Sequence, residues 1–239
     1  MRKRKYCSLS TYKSNDNELT QDIEEYQRIL GLSAAEAPMP ECQARIHNIV
    51  GTAKICTDSN VFDLRQISSL LPNCTYDKQK FAAITMRLFD PYCTVLLFTS
   101  GKMVLTGCRS FAECCWASHN VVKFLKHNLP HNVFRLRDVA IQNIVGNVDL
   151  ELKENESIDL DRMYEHESIF CTFQKNMFPG LIYRANNSPV VLLLFQSGKI
   201  VITGGKSTRD IYEGWKTLWP QIKTYVVYAT QPATSTKMH

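Results

Sequence analysis

The chain has 239 residues, of which 44% are apolar and 21% charged, and its formal net charge is +5. This composition excludes a disordered or fibrous chain and is ordinary for a soluble globular protein. Because the longest strongly apolar run, residues 190–195, is too short to span a bilayer and polar residues follow the opening MRKRK, we expect neither a membrane span nor a signal peptide, and hence an intracellular protein. The nine cysteines include the neighbours Cys114 and Cys115, and we expect reduced thiols.

A polar N-terminal segment precedes an internal repeat. Residues 1–42 form a variable tail, in which an amphipathic stretch near 19–30 predicts a short helix and an APMP segment a linker. Beyond it, residues 81–109 align without a gap on residues 178–206, and HNIVG at 47–51 matches QNIVG at 142–146. We therefore predict a first repeat at 43–138, a second at 139–228 and a C-terminal tail at 229–239.

Each repeat has the pattern strand, short helix, several strands and long helix. For the first repeat we predict a strand at 44–55, a short helix at 63–71, strands around Ile84, Leu96 and Val104, and a long helix at 110–129. For the second we predict a strand at 139–150, a short helix at 160–167, strands around Leu181, Leu193 and Val201, and a long helix that begins at Ser207 and Thr208. A serine at each long-helix start is a typical N-cap.

The strands have two apolar faces. Side chains alternate across a strand, so the even-numbered residues from 96 to 106 share one face and the odd-numbered residues from 95 to 105 share the other. Each repeat supplies enough helix to cover only one face, and we expect a ligand or another protein layer on the second. The even face repeats apolar, hydroxyl and cationic side chains, a mixture that suits the DNA minor groove. The alternative interpretation of any single apolar residue on the even face is that it belongs to the protein core and contacts no ligand.

The blocks KFAAITMR, LLFTSGKMVLTG, IQNIVG, MFPGLIYR and VLLLFQSGKIVITG closely resemble the TATA-box-binding protein family, and the resemblance covers about residues 43–227. It implies an α+β fold: a saddle of two pseudo-symmetric repeats that form a curved antiparallel sheet with helices on the convex face. It also implies a nuclear general transcription initiation factor, not an enzyme, that binds TATA-like promoter DNA in the minor groove and nucleates preinitiation complex assembly. The strong kink made by paired phenylalanines is a property carried over from the family.

The resemblance also assigns DNA contacts to residues of this chain. The kinking pairs are Phe81 with Phe98 and Phe178 with Phe195, and the central amides are Asn48 and Asn143, beside Val50 and Val145. The groove-floor residues are Leu96, Val104, Thr106, Leu193, Val201 and Thr203. The phosphate contacts are Arg87, Lys102, Arg109, Arg184, Lys199 and Lys206, with Ser100 and Ser197 nearby.

The departures from the family concern partner surfaces. Gln174, Lys175 and Asn176 stand where the family usually has two glutamates that help to receive the B-type general transcription factor, so we expect weaker B-factor binding. The acidic run at 149–167 is either a substitute docking surface or a solvated face. An A-type factor and RNA polymerase subunits are further implied partners. Such changes suit a deep-branching eukaryotic paralogue or one from a large DNA virus, which would work in the host nucleus, the viral factory or the virion.

Other functions fit the sequence less well than promoter binding. The main alternative is a scaffold that keeps the fold, has weak or altered DNA specificity and mainly recruits divergent partners; an RNA-binding or hydrolytic protein ranks below it. The GGKS at 204–207 lacks the earlier glycine of a phosphate loop, because Ile200 holds that place. A zinc site at Cys115, His119, His127 and His131 would lack a CxxC arm and would run along a predicted helix. We therefore predict no metal site, no cofactor and no catalytic residues.

Overall fold

The computed structural model describes residues 44–58, 62–71, 73–184, 186 and 188–228. The predicted tails at 1–42 and 229–239 lie outside the described residues. The described chain forms two compact units. Unit 1 contains Ile46–Ile144, and unit 2 contains Ala44, Arg45 and the residues from Val145 onward.

Unit 1 is an antiparallel sheet with one short and one long helix. Its elements are β1 (Arg45–Thr57), α1 (Leu64–Leu70), β2 (Cys74–Thr75), β3 (Ala83–Phe89), β4 (Tyr92–Phe98), β5 (Lys102–Cys108), α2 (Phe111–Asn128) and the first part of β6 (Phe134–Asp149). The strand order is β2-β3-β4-β5-β1-β6. Helix α2 lies against β5.

Unit 2 repeats this arrangement. Its elements are the last part of β6, β7 (Glu156–Ile158), α3 (Leu160–His166), β8 (Cys171–Thr172), β9 (Leu181–Tyr183), β10 (Val191–Leu194), β11 (Lys199–Gly205), α4 (Thr208–Ile222), a 3-10 turn (Lys223–Tyr225) and β12 (Val226–Tyr228). The strand order β8-β9-β10-β11-β6 matches the order β2-β3-β4-β5-β1 of unit 1, and β12 pairs separately with β7. Helix α4 lies against β11. The internal repeat predicted from the sequence is therefore present in the fold.

Local signals in the sequence set the helix starts. The Ser110 Oγ accepts a hydrogen bond from the Glu113 N–H, and the Ser207 Oγ accepts one from the Asp210 N–H, each at 3.1 Å. The Asp210 carboxylate accepts in return from the Ser207 N–H, which completes a capping box. Asp63 and Asp159 are the N-caps of α1 and α3, and their carboxylates accept hydrogen bonds from backbone N–H groups of the first turn. All four predicted helices are confirmed, with ends that differ by at most one residue where an end was predicted.

The second repeat's first strand is longer than expected. β6 begins at Phe134, five residues before the predicted start at 139. Phe134 is buried, and its ring centroid lies 6.1 Å from that of Phe62. Burial of this ring stabilises the start of the longer strand.

The described cysteines Cys56, Cys74, Cys93, Cys108, Cys114, Cys115 and Cys171 are all free thiols, as expected. Among the described residues, no helix is long and apolar enough to cross a lipid bilayer.

Candidate nucleic-acid interface

Each unit has one sheet face beneath its helices and one open face. In unit 1 the odd-numbered residues Val95, Leu97, Met103 and Leu105 are fully buried, whereas Leu96, Phe98, Val104 and Thr106 are only half-buried. In unit 2 the fully buried set is Leu192, Leu194, Ile200 and Ile202, and the half-buried set is Leu193, Phe195, Val201 and Thr203. The predicted alternation is therefore confirmed. The open face of a unit is the sheet face that carries its half-buried set.

The asparagine and the valine of each NIVG segment lie on these open faces. In β6 the residues Ile144 and Gly146 are buried and Asn143 and Val145 are half-buried. A Cβ on Gly146 would come within 2.6 Å of the Ile211 Cγ2 in α4, so this glycine lets the helix approach the strand closely. Since alternate side chains point to opposite faces, the residues on either side of Gly146 point away from α4. The same alternation puts Asn48 and Val50 on the open face of unit 1.

Two phenylalanine rings meet in each unit, as predicted. The centroids of Phe81 and Phe98 lie 6.2 Å apart with an interplanar angle of 64°. Those of Phe178 and Phe195 lie 5.7 Å apart at 68°. Phe81 is 46% exposed, and the other three rings are half-buried. Each unit thus offers an edge-to-face aromatic pair to solvent at the end of its open face.

Gly180 contributes to the second pair, which the sequence reasoning missed. A Cβ on Gly180 would come within 2.7 Å of the Phe178 ring and 3.0 Å of the Phe195 ring. The equivalent residue of the first repeat is Ala83, and the rings there lie farther apart. This difference could have been found in the sequence, because the gap-free alignment of the repeats pairs Gly180 with Ala83 next to the paired rings.

The apolar and hydroxyl residues of the groove floor face each other across neighbouring strands. Leu96 pairs with Val104, and Leu193 pairs with Val201. Thr106 pairs with Thr94, which adds a second half-buried hydroxyl to the open face of unit 1. The sequence reasoning did not select Thr94, although the alternation that selected Leu96 extends to it.

Cations lie at the ends of the open-face strands. Lys102 and Lys199 begin β5 and β11, and both are exposed. Arg109 and Lys206 occupy the junctions between these strands and the long helices. The Arg109 N–H donates to the Glu113 Oε2 at 2.7 Å, and the Lys206 N–H donates to the Asp210 Oδ2 at 2.8 Å. An equivalent backbone-to-carboxylate hydrogen bond holds each junction, so the Arg109 and Lys206 side chains start from equivalent positions in the two units.

The hydrogen bonds at the Lys206 junction act on the charge of Asp210. Partial burial is the largest single influence and raises the pKa of Asp210, but the hydrogen bonds from the backbone N–H groups of Lys206 and Ser207 and from the Ser207 hydroxyl, together with the charge of Arg209, outweigh it, and the net shift is downward. The carboxylate is therefore stabilised in the charged form that accepts these bonds.

All the predicted DNA-contacting residues lie in the described chain, and each is half-buried or exposed. Arg87 and Arg184 occupy equivalent exposed positions, where their backbone N–H groups donate to the carbonyls of Asn73 and Phe170. Ser100 and Ser197 are exposed in the turns before Lys102 and Lys199.

The stretch that departs from the family is also exposed. Gln174, Lys175 and Asn176 are accessible, and Met177 next to them is 83% exposed. The Lys175 Nζ lies 2.6 Å from the Asp161 Oδ2 and 5.4 Å from the centroid of the Phe173 ring. Lys175 therefore pairs with a carboxylate of the acidic run, which the sequence reasoning treated separately.

Among the described residues, no group of three His, Cys, Asp or Glu side chains is placed to hold a metal ion. The His119 Nδ1 lies 3.1 Å from the Cys115 carbonyl oxygen, within the helix that carries both.

Comparisons with known proteins agree with this geometry. The family model described as transcription factor TFIID (or TATA-binding protein, TBP) matches residues 43–128 and 138–225. The chain is 36% identical over 182 residues to the TATA-box-binding protein of Tetrahymena thermophila, covering 76% of this chain and 70% of that protein. It is 36% identical over 181 residues to that of Dictyostelium discoideum, covering 75% and 83%. A solved structure of Methanococcus jannaschii TBP matches with a TM-score of 0.64 and 32% identity, covering 76% of this chain and 99% of that one.

The repeated α+β fold, the open sheet faces and these relatives define a DNA-binding general transcription initiation factor. The chain belongs to the TATA-box-binding protein family. Its identity to the relatives makes it a divergent member, and the predicted α+β fold of this family is confirmed. The relatives from eukaryotes identify it as a nuclear transcription factor that binds DNA and other transcription factors, in a family that is not enzymatic.

Proposed function

We propose that the open face of each unit binds A·T-rich, TATA-like promoter DNA through the minor groove, and that each phenylalanine pair kinks the duplex at a base step. The observation that carries this proposal is the duplicated edge-to-face pair, which stands at the end of a face whose other residues also recur in both units. An ordinary core has no need to repeat amide, hydroxyl and cation at matched positions. The repeats at 43–138 and 139–228 are then the two units of recognition, and the family match at 43–128 and 138–225 supports them.

The groove floor selects A·T pairs by shape and hydrogen bonding. The minor-groove edge of an A·T pair has only acceptors, the adenine N3 and the thymine O2, whereas a G·C pair adds the guanine amino group. Val50 and Val145 are half-buried and follow the central amides by two residues, and the guanine amino group would crowd them. Leu96, Val104, Leu193 and Val201 pack against sugars and base edges, and Thr106 and Thr203 meet the acceptors.

The ring pairs supply the wedge. An apolar side chain that enters a base step unstacks it, which costs a few kcal/mol, and the bent duplex then covers more protein surface. The 46% exposure of Phe81 and its edge-to-face pairing with Phe98 support this role, because they leave the ring accessible and limit its orientation.

The exposed cations fix the position of the duplex without reading its sequence. Arg87, Lys102 and Arg109 contact phosphates in unit 1, and Arg184, Lys199 and Lys206 do so in unit 2. Their exposure is what phosphate contacts require, because the phosphates lie outside the groove floor. Ser100 and Ser197 add neutral contacts in the adjoining turns.

The bound promoter nucleates preinitiation complex assembly with partners that suit an altered surface. Gln174, Lys175 and Asn176 present amides and a paired ammonium instead of acidic groups. A B-type factor that meets acidic groups with basic ones loses attraction there and meets a like charge. A divergent B-type counterpart is therefore the proposed partner, together with A-type factor and polymerase subunits.

The exposed stretch at 174–176, which departs from the family at a partner surface, also suits a second candidate function, a scaffold with weak or altered DNA specificity that mainly recruits divergent partners. The two candidates differ in DNA binding, and a mobility-shift assay with A·T-rich and G·C-rich duplexes of equal length separates them. A promoter-binding factor shifts the A·T-rich duplex at much lower protein concentration. Equal, weak shifts of both duplexes would favour the scaffold.

A further inference from the structure

Three buried cysteines meet between α2 and the sheet in unit 1. Cys93 belongs to β4, Cys108 ends β5 and Cys114 lies near the start of α2, and all three are buried. The Cys108 thiol is hydrogen-bonded to the thiols of both Cys93 and Cys114. Gly107 makes this contact possible, because its φ of +99° shifts the alternation of β5 by one residue. Thr106 therefore lies on the open face, and Cys108 returns to the helix side.

The internal repeat shows that the fold does not need these thiols. In the gap-free alignment the three cysteines correspond to residues that have no sulfur: Cys93 to Val190, Cys108 to Gly205 and Cys114 to Ile211. The equivalent strands and helix form in unit 2 with these residues. Apolar volume is thus sufficient at the three places, and unit 1 adds to it a group of three sulfurs in contact.

The hydrogen bonds between the thiols give them different acidities. The bond from the Cys114 thiol, followed by that from the Cys93 thiol, lowers the pKa of Cys108 below its usual value, although burial acts to raise it. The bond with Cys108, together with burial, raises the pKa of Cys114 and that of Cys93. Cys108 therefore loses its proton most readily, while its two neighbours keep theirs. A thiolate beside a protonated thiol is the arrangement that reacts with a peroxide and then closes a disulfide.

A surface cleft brings solvent close to the three sulfurs. The cleft has a volume of about 580 Å³, and Tyr92, Gly107 and Glu113 are among the residues that line it. Each of these is the chain neighbour of one of the three cysteines. A small oxidant such as hydrogen peroxide can therefore come within one residue of every sulfur, whereas burial of the sulfurs keeps larger reagents away.

The thiol group is linked to the open face through Gly107. The Gly107 N–H donates to the Asn48 side-chain oxygen at 2.7 Å, and the Asn48 Nδ2 donates to the Thr106 Oγ1 at 3.4 Å. Cys108 follows Gly107 directly. A disulfide brings two sulfurs to about 2.05 Å, which is closer than hydrogen-bonded sulfurs lie. Oxidation of Cys108 to a disulfide with α2 therefore pulls on the residue whose N–H orients the Asn48 amide.

We propose that Cys108 and Cys114 are a peroxide-sensitive site, at which formation of a disulfide reversibly weakens DNA binding by unit 1. Cys114 is the partner of Cys108 because the Arg109 N–H donates to the Glu113 Oε2 at 2.7 Å and so holds the start of α2 against the end of β5. The disulfide stands on the thiol geometry alone. Its effect on DNA rests on the proposed function.

The reaction has two steps. The Cys108 thiolate attacks one oxygen of hydrogen peroxide, the O–O bond breaks, and the leaving hydroxide takes up a proton and becomes water, so that Cys108 is a sulfenic acid. The Cys114 sulfur then attacks the Cys108 sulfur, the S–O bond breaks, and the departing hydroxyl leaves as water with the Cys114 proton. Two thiols and one peroxide give one disulfide and two water molecules. A dithiol reductant reverses the change.

The test treats the reduced full chain with dilute hydrogen peroxide and then alkylates the remaining thiols. Trypsin cleavage after Arg109 places Cys108 and Cys114 in separate peptides, so mass spectrometry identifies the linked pair. Affinity for an A·T-rich duplex is measured before oxidation, after it and after reduction with dithiothreitol. We expect a Cys108–Cys114 disulfide, an affinity about tenfold lower, the usual scale for loss of one base contact, and recovery on reduction.

Substitutions separate this pair from the neighbouring thiols. We expect Cys108→Ala and Cys114→Val each to abolish the disulfide and the effect of peroxide on DNA affinity. The matched controls Cys93→Val and Cys115→Ala each remove another buried thiol of unit 1 and leave both effects in place. Valine and isoleucine stand at the equivalents of Cys93 and Cys114 in the second repeat, so these variants are compatible with the fold. Circular dichroism and the affinity of each reduced variant for the duplex show whether it is folded.

Three results would overturn the proposal. They are absence of a disulfide in the folded chain, a disulfide between other cysteines, and oxidation that dithiothreitol does not reverse. A Cys108–Cys114 disulfide with unchanged affinity for the A·T-rich duplex would refute the link through Gly107 and Asn48 while promoter binding stands. If the reduced chain bound A·T-rich and G·C-rich duplexes alike, the proposed function would fail, and mass spectrometry would still decide whether the disulfide forms.

Discussion

The Asn48 side-chain oxygen accepts a hydrogen bond from the Gly107 backbone N–H at 2.7 Å. Gly107 has a φ of +99°, a conformation that glycine adopts without strain, and the equivalent Gly204 has a φ of +98°. The bond lies where the register of β1 and β5 shifts between Ile49 and Gly51. This bond sets the orientation of the Asn48 side-chain amide, because only its oxygen, and not its nitrogen, can accept from a backbone N–H. The Asn48 Nδ2 donates to the Thr106 Oγ1 at 3.4 Å on the open face, and an amide nitrogen carries a second N–H that this bond does not use.

This orientation predicts the effect of Asn48→Asp. The aspartate keeps an acceptor for the Gly107 N–H, but it replaces the Nδ2 donors with a second acceptor and adds negative charge beside the groove. We expect affinity for an A·T-rich duplex to fall about tenfold or more, the usual scale for loss of a base contact, with little change in the free energy of unfolding. The control Asn132→Asp makes the same change at an exposed site after α2 and leaves affinity nearly unchanged. Equal losses in the two variants would refute a role of the amide in base contact.

The Phe178 and Phe195 pair should control bending more than nonspecific binding. We expect the double substitution Phe178→Ala with Phe195→Ala to reduce the bend, because apolar wedges act on base steps while nonspecific affinity depends on phosphate charge. The bend is measured by fluorescence energy transfer between the ends of a labelled TATA duplex. Tyr228→Ala, which removes an exposed ring on β12, is the control. A proportionate loss of bending and nonspecific affinity would count against wedging.

The salt dependence of DNA affinity tests the phosphate contacts. We expect Lys102→Gln, Arg109→Gln, Lys199→Gln and Lys206→Gln each to flatten the plot of log affinity against log salt concentration by about 0.9, one phosphate contact. Lys126→Gln, on the exposed side of α2, is the control and leaves the slope unchanged. A slope that none of the four substitutions alters would show that these side chains do not contact phosphates.

Asp210 should make α4 sensitive to acid. Its pKa is lowered in the folded chain, so its contribution to stability is complete above the unfolded value, near 3.8, and is lost as the pH falls through the folded pKa. We expect Asp210→Ala to lower the free energy of unfolding by about 1 kcal/mol at pH 7 and by less at pH 3. Urea unfolding at both pH values measures this. Asp58→Ala, which caps none of the described helices, is the control. A difference that did not shrink in acid would contradict the role of the charged carboxylate.

Restoring acidic groups near Lys175 should improve binding of a standard B-type factor. We expect the double substitution Gln174→Glu with Asn176→Glu to increase recovery of the factor on TATA DNA in a pull-down, because the factor's basic groups regain their partners. Gln66→Glu with Gln79→Glu, two exposed sites in unit 1, adds the same charge elsewhere. If the unaltered chain already formed a stable ternary complex that the restored glutamates did not affect, the departures from the family would be silent.

The sequence predicted the parts of the fold that depend on local pattern. The alternation in β4 and β5 separates Leu96 from Leu97 because successive side chains of a strand point to opposite faces. Ser110 and Ser207 mark helix starts because a cap acts over three residues. The predicted ring pairs came from the repeat together with the family resemblance.

Features that depend on packing between distant residues were missed. The pairing of β7 with β12 joins Ile158 to Val226, and strands this short carry no recognisable pattern. The Lys175–Asp161 ion pair joins two segments that share no motif, so no sequence pattern predicts their contact.

Minor-groove reading of A·T pairs is tested most directly with a TATA duplex in which every A·T pair is replaced by inosine·cytosine. This pair lacks the guanine amino group, so its minor groove resembles that of an A·T pair while its major groove resembles that of a G·C pair. Affinity and bend are measured beside the A·T and G·C duplexes of the same length. The structure predicts that the inosine duplex binds and bends like the A·T duplex. Behaviour like that of the G·C duplex would contradict recognition by the open sheet faces through the minor groove.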